Sequence, residues 1–298
     1  MTYRVQIQIV TYQQNPKTWL ALRMALGQSL SPQSVLWIQN GHVQPLADDL
    51  AGQIETICLP ENRGYAAAHN VGFAIAFERG MHFVVTLNPD ALLSSAYLET
   101  TITAMTRHSL RIGGATGKLT RTRPQPRLDS TGLILDKFYH AHDRGQGQRD
   151  HGQFDTKEIV WGISGAAAVY KTEMLRQLSQ SGPVLNEIFF AYKEDVELCW
   201  RARDLGWNFL YVPPALAIHN RHWTRGWSPI PASVRAHSFA NQIFILQMYR
   251  NRSAYGLPAT VLEAVRFGLL GAAHPRAAKD AAVKVFKFGK RVRAGQRG

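Results

Sequence analysis

Short apolar strands that end in polar residues, with helical patterns among them, fill the stretch from Val5 to Asp90. Val5, Ile7 and Ile9 alternate with Gln6 and Gln8 ahead of Thr11-Tyr12. Val35–Ile38 stops at Gln39-Asn40-Gly41, Ile54–Leu59 leads to Asn62-Arg63-Gly64, and Phe83–Leu87 ends in Asn88-Pro89-Asp90. Thr18–Gly27 and Ala66–Arg79 read as helices. This alternation predicts a parallel sheet of βαβ units, because parallel neighbours need a long crossover. Ligands of such sheets bind beyond the carboxyl ends of the strands, where all these polar clusters fall.

The middle of the chain follows a different pattern. Ala115–Thr120, Leu128–Leu135 and Ile159–Tyr170 read as strands without long helices between them, and Arg144–Phe154 as a loop, so a mixed extension of the sheet is expected. Glu194–Leu205 reads as a helix with Leu198, Ala202 and Leu205 on one face. Asn208–Val212 and Ala215–His219 read as extended, and Trp223–Pro231 as a mobile loop. From about Val234 the pattern turns helical, over Ser238–Tyr249, Leu262–Leu270 and Ala277–Arg293. Basic residues there far outnumber Glu263 and Asp280, a composition suited to an anionic membrane surface. The expected organisation is one domain over 1–233, divided near 110, and a helical basic extension over 234–298.

A chain of 298 residues can bury a large core, and its net charge of +13 implies an anionic partner. Cys58 and Cys199 lie in apolar runs, which predicts buried thiols in a reducing compartment. Met1–Gln6 has no positive-then-apolar leader, and no run reaches the ~18 uninterrupted apolar residues of a spanning helix. A cytoplasmic protein resting on a membrane surface is the expectation.

Several constellations carry chemistry. Phe189-Phe190-Ala191-Tyr192-Lys193 runs into Glu194-Asp195 at a helix start. Carboxylates there either complement the free N–H groups of the first turn or supply a general base, and the residues alone leave both open. Asn62-Arg63-Gly64-Tyr65 is either a phosphate-binding turn or a plain loop-to-helix junction. Asp90 holds a hard cation or caps a turn. His219 is a ligand or a structural histidine, and Asp129-Ser130-Thr131-Gly132 is a turn or a cleft wall. Neither Gly-x-Ser-x-Gly nor Gly-x-Gly-x-x-Gly occurs, which argues against an esterase and a dinucleotide-dependent dehydrogenase.

In their order and spacing these pieces resemble the inverting family 2 glycosyltransferases with a GT-A fold. The match covers about Val5–Asn251: Asn62–Tyr65 through Asn70, Leu87–Asp90, Ser164-Gly165-Ala166-Ala167, Phe190–Leu198, Arg201, and Tyr211-Val212-Pro213 through His219. Leu128–Gly132, Asp143–Gly147 and Gly206-Trp207 are similar to the rhamnosyltransferase branch that builds bacterial surface polysaccharides. The resemblance implies an α/β, Rossmann-like fold with a mixed, mainly parallel sheet flanked by helices. It implies inverting transfer of a sugar, such as rhamnose from dTDP-rhamnose, to a hydroxyl of a lipid-linked saccharide.

By the same resemblance, Asp195 is the base and Glu194 its neighbouring support. Thr11, Tyr12, Gln39, Asn62, Arg63, Asn70, Asn88 and Asp90 fall at donor positions. Asp129, Gly165, Tyr192 and Trp223 fall at the acceptor cleft, and Asn88, Asp90 and His219 at a site for Mg2+ or Mn2+. The basic tail would rest on the anionic inner face of a bacterial plasma membrane, and no nucleic acid partner is expected. Two departures stand out: Gln39 replaces the usual Asp at the end of the second strand, and Asn88 replaces the first Asp of Asp-x-Asp. The second shifts metal binding toward Asp90, His219 and the donor diphosphate. A nucleotidyltransferase-like enzyme would need a basic, Gly-rich loop near the N-terminus, which Thr11–Lys17 is not. A non-enzymatic nucleic-acid binder would interleave basic and aromatic residues over one face, whereas here the basic excess gathers in the tail.

Overall fold

The structure is a computed structural model and describes residues 3–13, 15–122, 125–220 and 230–295. Its N-terminal half is parallel as expected. β1 (Val5–Thr11) lies between β2 (Ser34–Asn40) and β4 (Phe83–Leu87), and β3 (Glu55–Leu59) extends from β2. The helices α1 (Thr18–Leu26) and α2 (Gly64–Glu78) belong to the crossovers.

Gln6 and Gln8, which alternate with apolar residues in β1, are fully buried. Helices cover both faces of a parallel sheet, so the polar side of the strand must be satisfied from within. Gln6 Nε2 donates to Gly72 O at 2.7 Å. Gln8 Nε2 donates to His69 Nδ1 at 2.7 Å and to His69 O at 3.1 Å. Gly72 is required by this close approach, since a Cβ there would stand 2.1 Å from Gln8 Oε1. Burial pushes the His69 imidazole down to about 3, so the ring is neutral.

The rest of the sheet is mixed. It draws on β5 (Ala91–Leu93), β6 (Ile112–Arg121), β7 (Arg127–Ser130), β10 (Glu158–Val160), β11 (Ala167–Lys171) and β12 (Asn208–His219), while β8 (Leu133–Leu135) and β9 (Ala141–Asp143) form a separate ribbon. The ten-stranded sheet runs β10-β12-β6-β11-β4-β1-β2-β3, with β5 on β12 and β7 on β6. β11 is antiparallel to β4 and β6, and β12 is parallel to β6. The two extended runs expected over Asn208–Val212 and Ala215–His219 are one strand, and a register shift between Val212 and Leu216 absorbs Pro213-Pro214, which lack N–H donors.

Two further helices, α3 (Tyr97–Thr106) and α4 (Thr172–Ser179), were not evident in the sequence pattern. With α1, α3 packs Ala21, Leu22, Leu98, Ile102 and Met105 on one face of the sheet. On the other face α2 and α4 pack with α5 (Glu194–Asp204) through Phe73, Met174, Leu175, Leu198 and Ala202. Cys199 is buried there, but Cys58 is exposed, contrary to the expectation of two buried thiols. It lies on β3, an edge strand with one neighbour.

The chain divides into two compact units, the first holding the sheet and its helices. The second gathers Leu135–Ala141, Ile188–Glu194 and the C-terminal helices α6 (Ala232–Tyr249), α7 (Gly256–Ala273) and α8 (Pro275–Gly295). Each of these helices starts earlier than the apolar pattern suggests. Within this unit Phe244 stacks on Phe288 at 4.2 Å and meets Phe189 edge-on at 6.0 Å. Among the described residues α7 alone is long and apolar enough to cross a membrane by length and composition, with a mean hydropathy of 1.2. Glu263, which interrupts it in sequence, is buried, with its Oε1 2.6 Å from His140 Nε2. Leu257, Val261, Val265 and Leu269 are left as an exposed apolar stripe.

Candidate active site

The first constellation forms where β4 runs out. Asn88-Pro89-Asp90 turns the chain into β5, with Ala91 N donating to Asn88 O at 3.0 Å. β5 pairs antiparallel with the end of β12, so that His219 stands opposite Ala91. Its Nε2 lies 3.4 Å from Asp90 Oδ1 and 3.3 Å from Asn88 Nδ2. Behind the ring, Nδ1 donates to Asp129 Oδ2 at 2.8 Å.

Asp129 is fully buried on β7, and Arg121 Nε lies 3.8 Å from its other oxygen. The residue expected at the acceptor cleft is therefore not on a cleft wall: it orients His219. Burial disfavours the charged imidazole, but Asp129 and Asp90 more than compensate, and the His219 pKa is raised overall. The residues fit a divalent cation. A buried carboxylate fixes the tautomer with Nδ1–H, Nε2 lies beside a carboxylate and an amide, and the mixed N/O donor set suits an ion such as Mn2+.

The second constellation is built around Gly165. Thr86 Oγ1 and Tyr65 Oη both donate to Gly165 O, at 2.9 and 3.1 Å. Gly165 N donates to Asp195 Oδ2 at 3.0 Å, and Val196 N donates to Asp195 Oδ1 at 2.8 Å. Each carboxylate oxygen thus receives one N–H, which fixes the plane of the group. The peptide of Gly165, a residue expected at the acceptor cleft, bridges β4 to the head of α5.

The third is the turn that opens α2. Asn40 Nδ2 donates to Asn62 Oδ1 at 3.0 Å and to Gly64 O at 3.1 Å, while Arg63 N donates to Asn40 Oδ1 at 2.9 Å. Asn62 and Arg63 remain exposed. Gly41 sits at φ +81°, and a Cβ there would lie 2.3 Å from Asn62 N, so only glycine allows the two loops to touch. Asn40 organises the loop, a role that its place in a turn signal did not reveal.

Other expected donor residues are engaged inside the protein. Thr11 is buried, with its Oγ1 accepting from Trp37 Nε1 at 3.0 Å, whereas Tyr12 beside it is exposed. Gln39 Nε2 donates to Gln44 O at 2.8 Å and its Oε1 accepts from Gln44 N at 2.5 Å. Asn70 Nδ2 donates to Leu185 O at 2.8 Å and to Glu187 Oε1 at 3.0 Å, and its Oδ1 accepts from Leu185 N at 2.9 Å. Asn70, expected at the donor, thus ties α2 to the segment 185–187. Tyr192 is exposed in the second unit, and Trp223 lies outside the described residues.

No family model matches the chain. Its sequence is similar to two curated proteins from strains of Mycobacterium tuberculosis, each an N-acetylglucosaminyl-diphospho-decaprenol L-rhamnosyltransferase. Identity is 25% over 267 residues, covering 82% of this chain and 85% of each relative. Its fold is similar to that of GalNAc-T7 solved with UDP, GalNAc and Mn2+, with a TM-score of 0.60 at 12% identity. That match covers 83% of this chain, which spans about half (48%) of the GalNAc-T7 chain. The mixed sheet, the strand-end cluster and these similarities agree: the chain is a glycosyltransferase with the GT-A fold.

Proposed function

We propose that the enzyme transfers a deoxysugar, with dTDP-rhamnose as the favoured donor, onto a hydroxyl of a lipid-linked saccharide, with inversion, as one step in making a bacterial surface polysaccharide. The observation that carries this reading is the convergence of Asn88, Asp90 and His219 beyond β4, backed by the buried Asp129. The named activity of the curated relatives supports the sugar and the acceptor class.

A divalent cation on Asp90, His219 and Asn88 would neutralise the charge that grows on the departing nucleotide diphosphate. Arg63, exposed at the head of α2, adds a guanidinium for the same phosphates. Asp195 takes the acceptor hydroxyl proton as that oxygen bonds to the anomeric carbon and the bond to the diphosphate oxygen breaks. A positioned base of this kind contributes about 10²–10⁴ in rate. The stripe on α7 and the basic residues of α8 support a peripheral seat on an anionic cytoplasmic membrane face, where a lipid-linked acceptor is presented.

The test is a panel of nucleotide-sugars offered with a polyprenyl-diphosphate-linked saccharide, with and without Mn2+ or EDTA. The expected result is turnover with a dTDP-deoxysugar that EDTA abolishes. Asp195→Asn should retain nucleotide affinity and lose about 10²–10⁴ in turnover. Undiminished turnover in that variant removes Asp195 as the base, and turnover indifferent to EDTA removes the cation.

A further inference from the structure

The loop that leads into Glu194-Asp195 follows a path that its residues do not favour. Phe190, Tyr192 and Lys193 have φ values of 62°, 73° and 69°, and none is glycine. L-residues rarely adopt the left-handed region because Cβ crowds the following carbonyl there, so three in four positions need outside support.

That support comes from the C-terminal helices. Asn241 on α6 is fully buried, and the two N–H groups of its Nδ2 are shared among Phe189 O at 3.0 Å, Ala191 O at 2.8 Å and Tyr192 O at 2.6 Å. Its Oδ1 accepts from Lys284 Nζ on α8 at 2.8 Å. Lys284 Nζ also donates to Phe189 O at 3.0 Å and to His237 Nδ1 at 2.7 Å. An ammonium has three N–H groups, and here all three meet acceptors. The His237 ring stacks on Phe190 at 5.1 Å, which closes the clamp from the side. Burial lowers the Lys284 pKa to about 8 while the charge of Glu194 opposes that shift, so the side chain is mostly cationic at neutral pH.

We infer that Lys284 and Asn241 are positioning residues for glycosyl transfer: α6 and α8 hold the strained 189–193 loop so that the carboxylates opening α5 are delivered in working orientation. The inference rests on the reading of Asp195 as the base. It gives the basic C-terminal segment a catalytic duty beyond any contact with a membrane.

The test uses the full-length enzyme and the variants Lys284→Met, Asn241→Asp and Asp195→Asn, with Lys284→Met also combined with Asp195→Asn. Melting curves and nucleotide titrations accompany the kinetics. Lys284→Met and Asn241→Asp should each lower kcat at least tenfold, with donor KM and nucleotide affinity within twofold of the parent. Lys284→Met should lower the residual rate of Asp195→Asn no further, because a residue acting through Asp195 has nothing left to position. Should Met not fold, Lys284→Gln, which keeps an N–H donor without the charge, takes its place with a smaller kcat loss expected. An unchanged kcat, or a loss that multiplies with that of Asp195→Asn, overturns the inference. Normal turnover of Asp195→Asn alone overturns instead the base assignment beneath it.

Discussion

Replacing Asp129 tests whether the strand-end cluster is a cation site whose histidine is oriented from behind. In Asp129→Ala the His219 Nδ1–H loses its acceptor at 2.8 Å inside a region closed to water, and Arg121 loses its ion pair at 3.8 Å. A buried donor left without a partner costs about 1–3 kcal/mol. Borne by the cation-bound state, that cost corresponds to about 5- to 150-fold weaker binding, at 1.4 kcal/mol per tenfold. Loss of a carboxylate behind a ligating histidine typically costs 10–100-fold in metal affinity, which falls inside that span. Asp129→Asn keeps an oxygen for Nδ1–H and removes only the charge, so its loss should be smaller. The assay is calorimetric titration with Mn2+, paired with turnover against Mn2+ concentration and a melting curve for each variant. Wild-type affinity in both folded variants would refute the reasoning. Equal damage from Asn and Ala would show that charge, rather than the hydrogen bond, orients the ring.

Other outcomes follow from the same structure. His69 is neutral when folded, with a pKa of about 3 against 6.5, so the unfolded chain takes up the proton first as pH falls. This contribution to stability is whole above pH 6.5 and lost from there down to about 3. By pH 5 the loss is about 2 kcal/mol, and urea titrations at pH 7 and 5 should show it shrink in His69→Gln. Gly41→Ala forces a side chain into φ +81° and against Asn62 N, so nucleotide affinity and melting temperature should both fall, by about 1–2 kcal/mol for the backbone alone. Retained affinity there would mean that the Asn40–Asn62 loop does not meet the donor. Val261→Ser with Val265→Ser should abolish flotation with anionic vesicles while leaving turnover on a soluble acceptor near normal; flotation unaffected would place any membrane contact elsewhere.

Local pattern determined a good deal. The order of strands and helices to β4, the polar strand ends and the carboxylates at the head of α5 all follow from periodicity and capping chemistry within a dozen residues, and all lie where the sequence puts them. The motif order pointed to the GT-A fold because those short pieces sit on that scaffold in sequence.

Tertiary structure decided which groups meet. Asp129 and His219 are 90 residues apart, and only the pairing of β7 and β12 with β6 brings them together. Gln6 and Gln8 find their partners on Gly72 and His69 of α2, and Leu185 meets both ends of the Asn70 amide. The support for the loop before Asp195 comes from helices that follow it in the chain. Periodicity reports which face of an element is apolar; it carries no information about what lies opposite a polar group, because that partner is set by sheet register and helix packing over long separations in sequence.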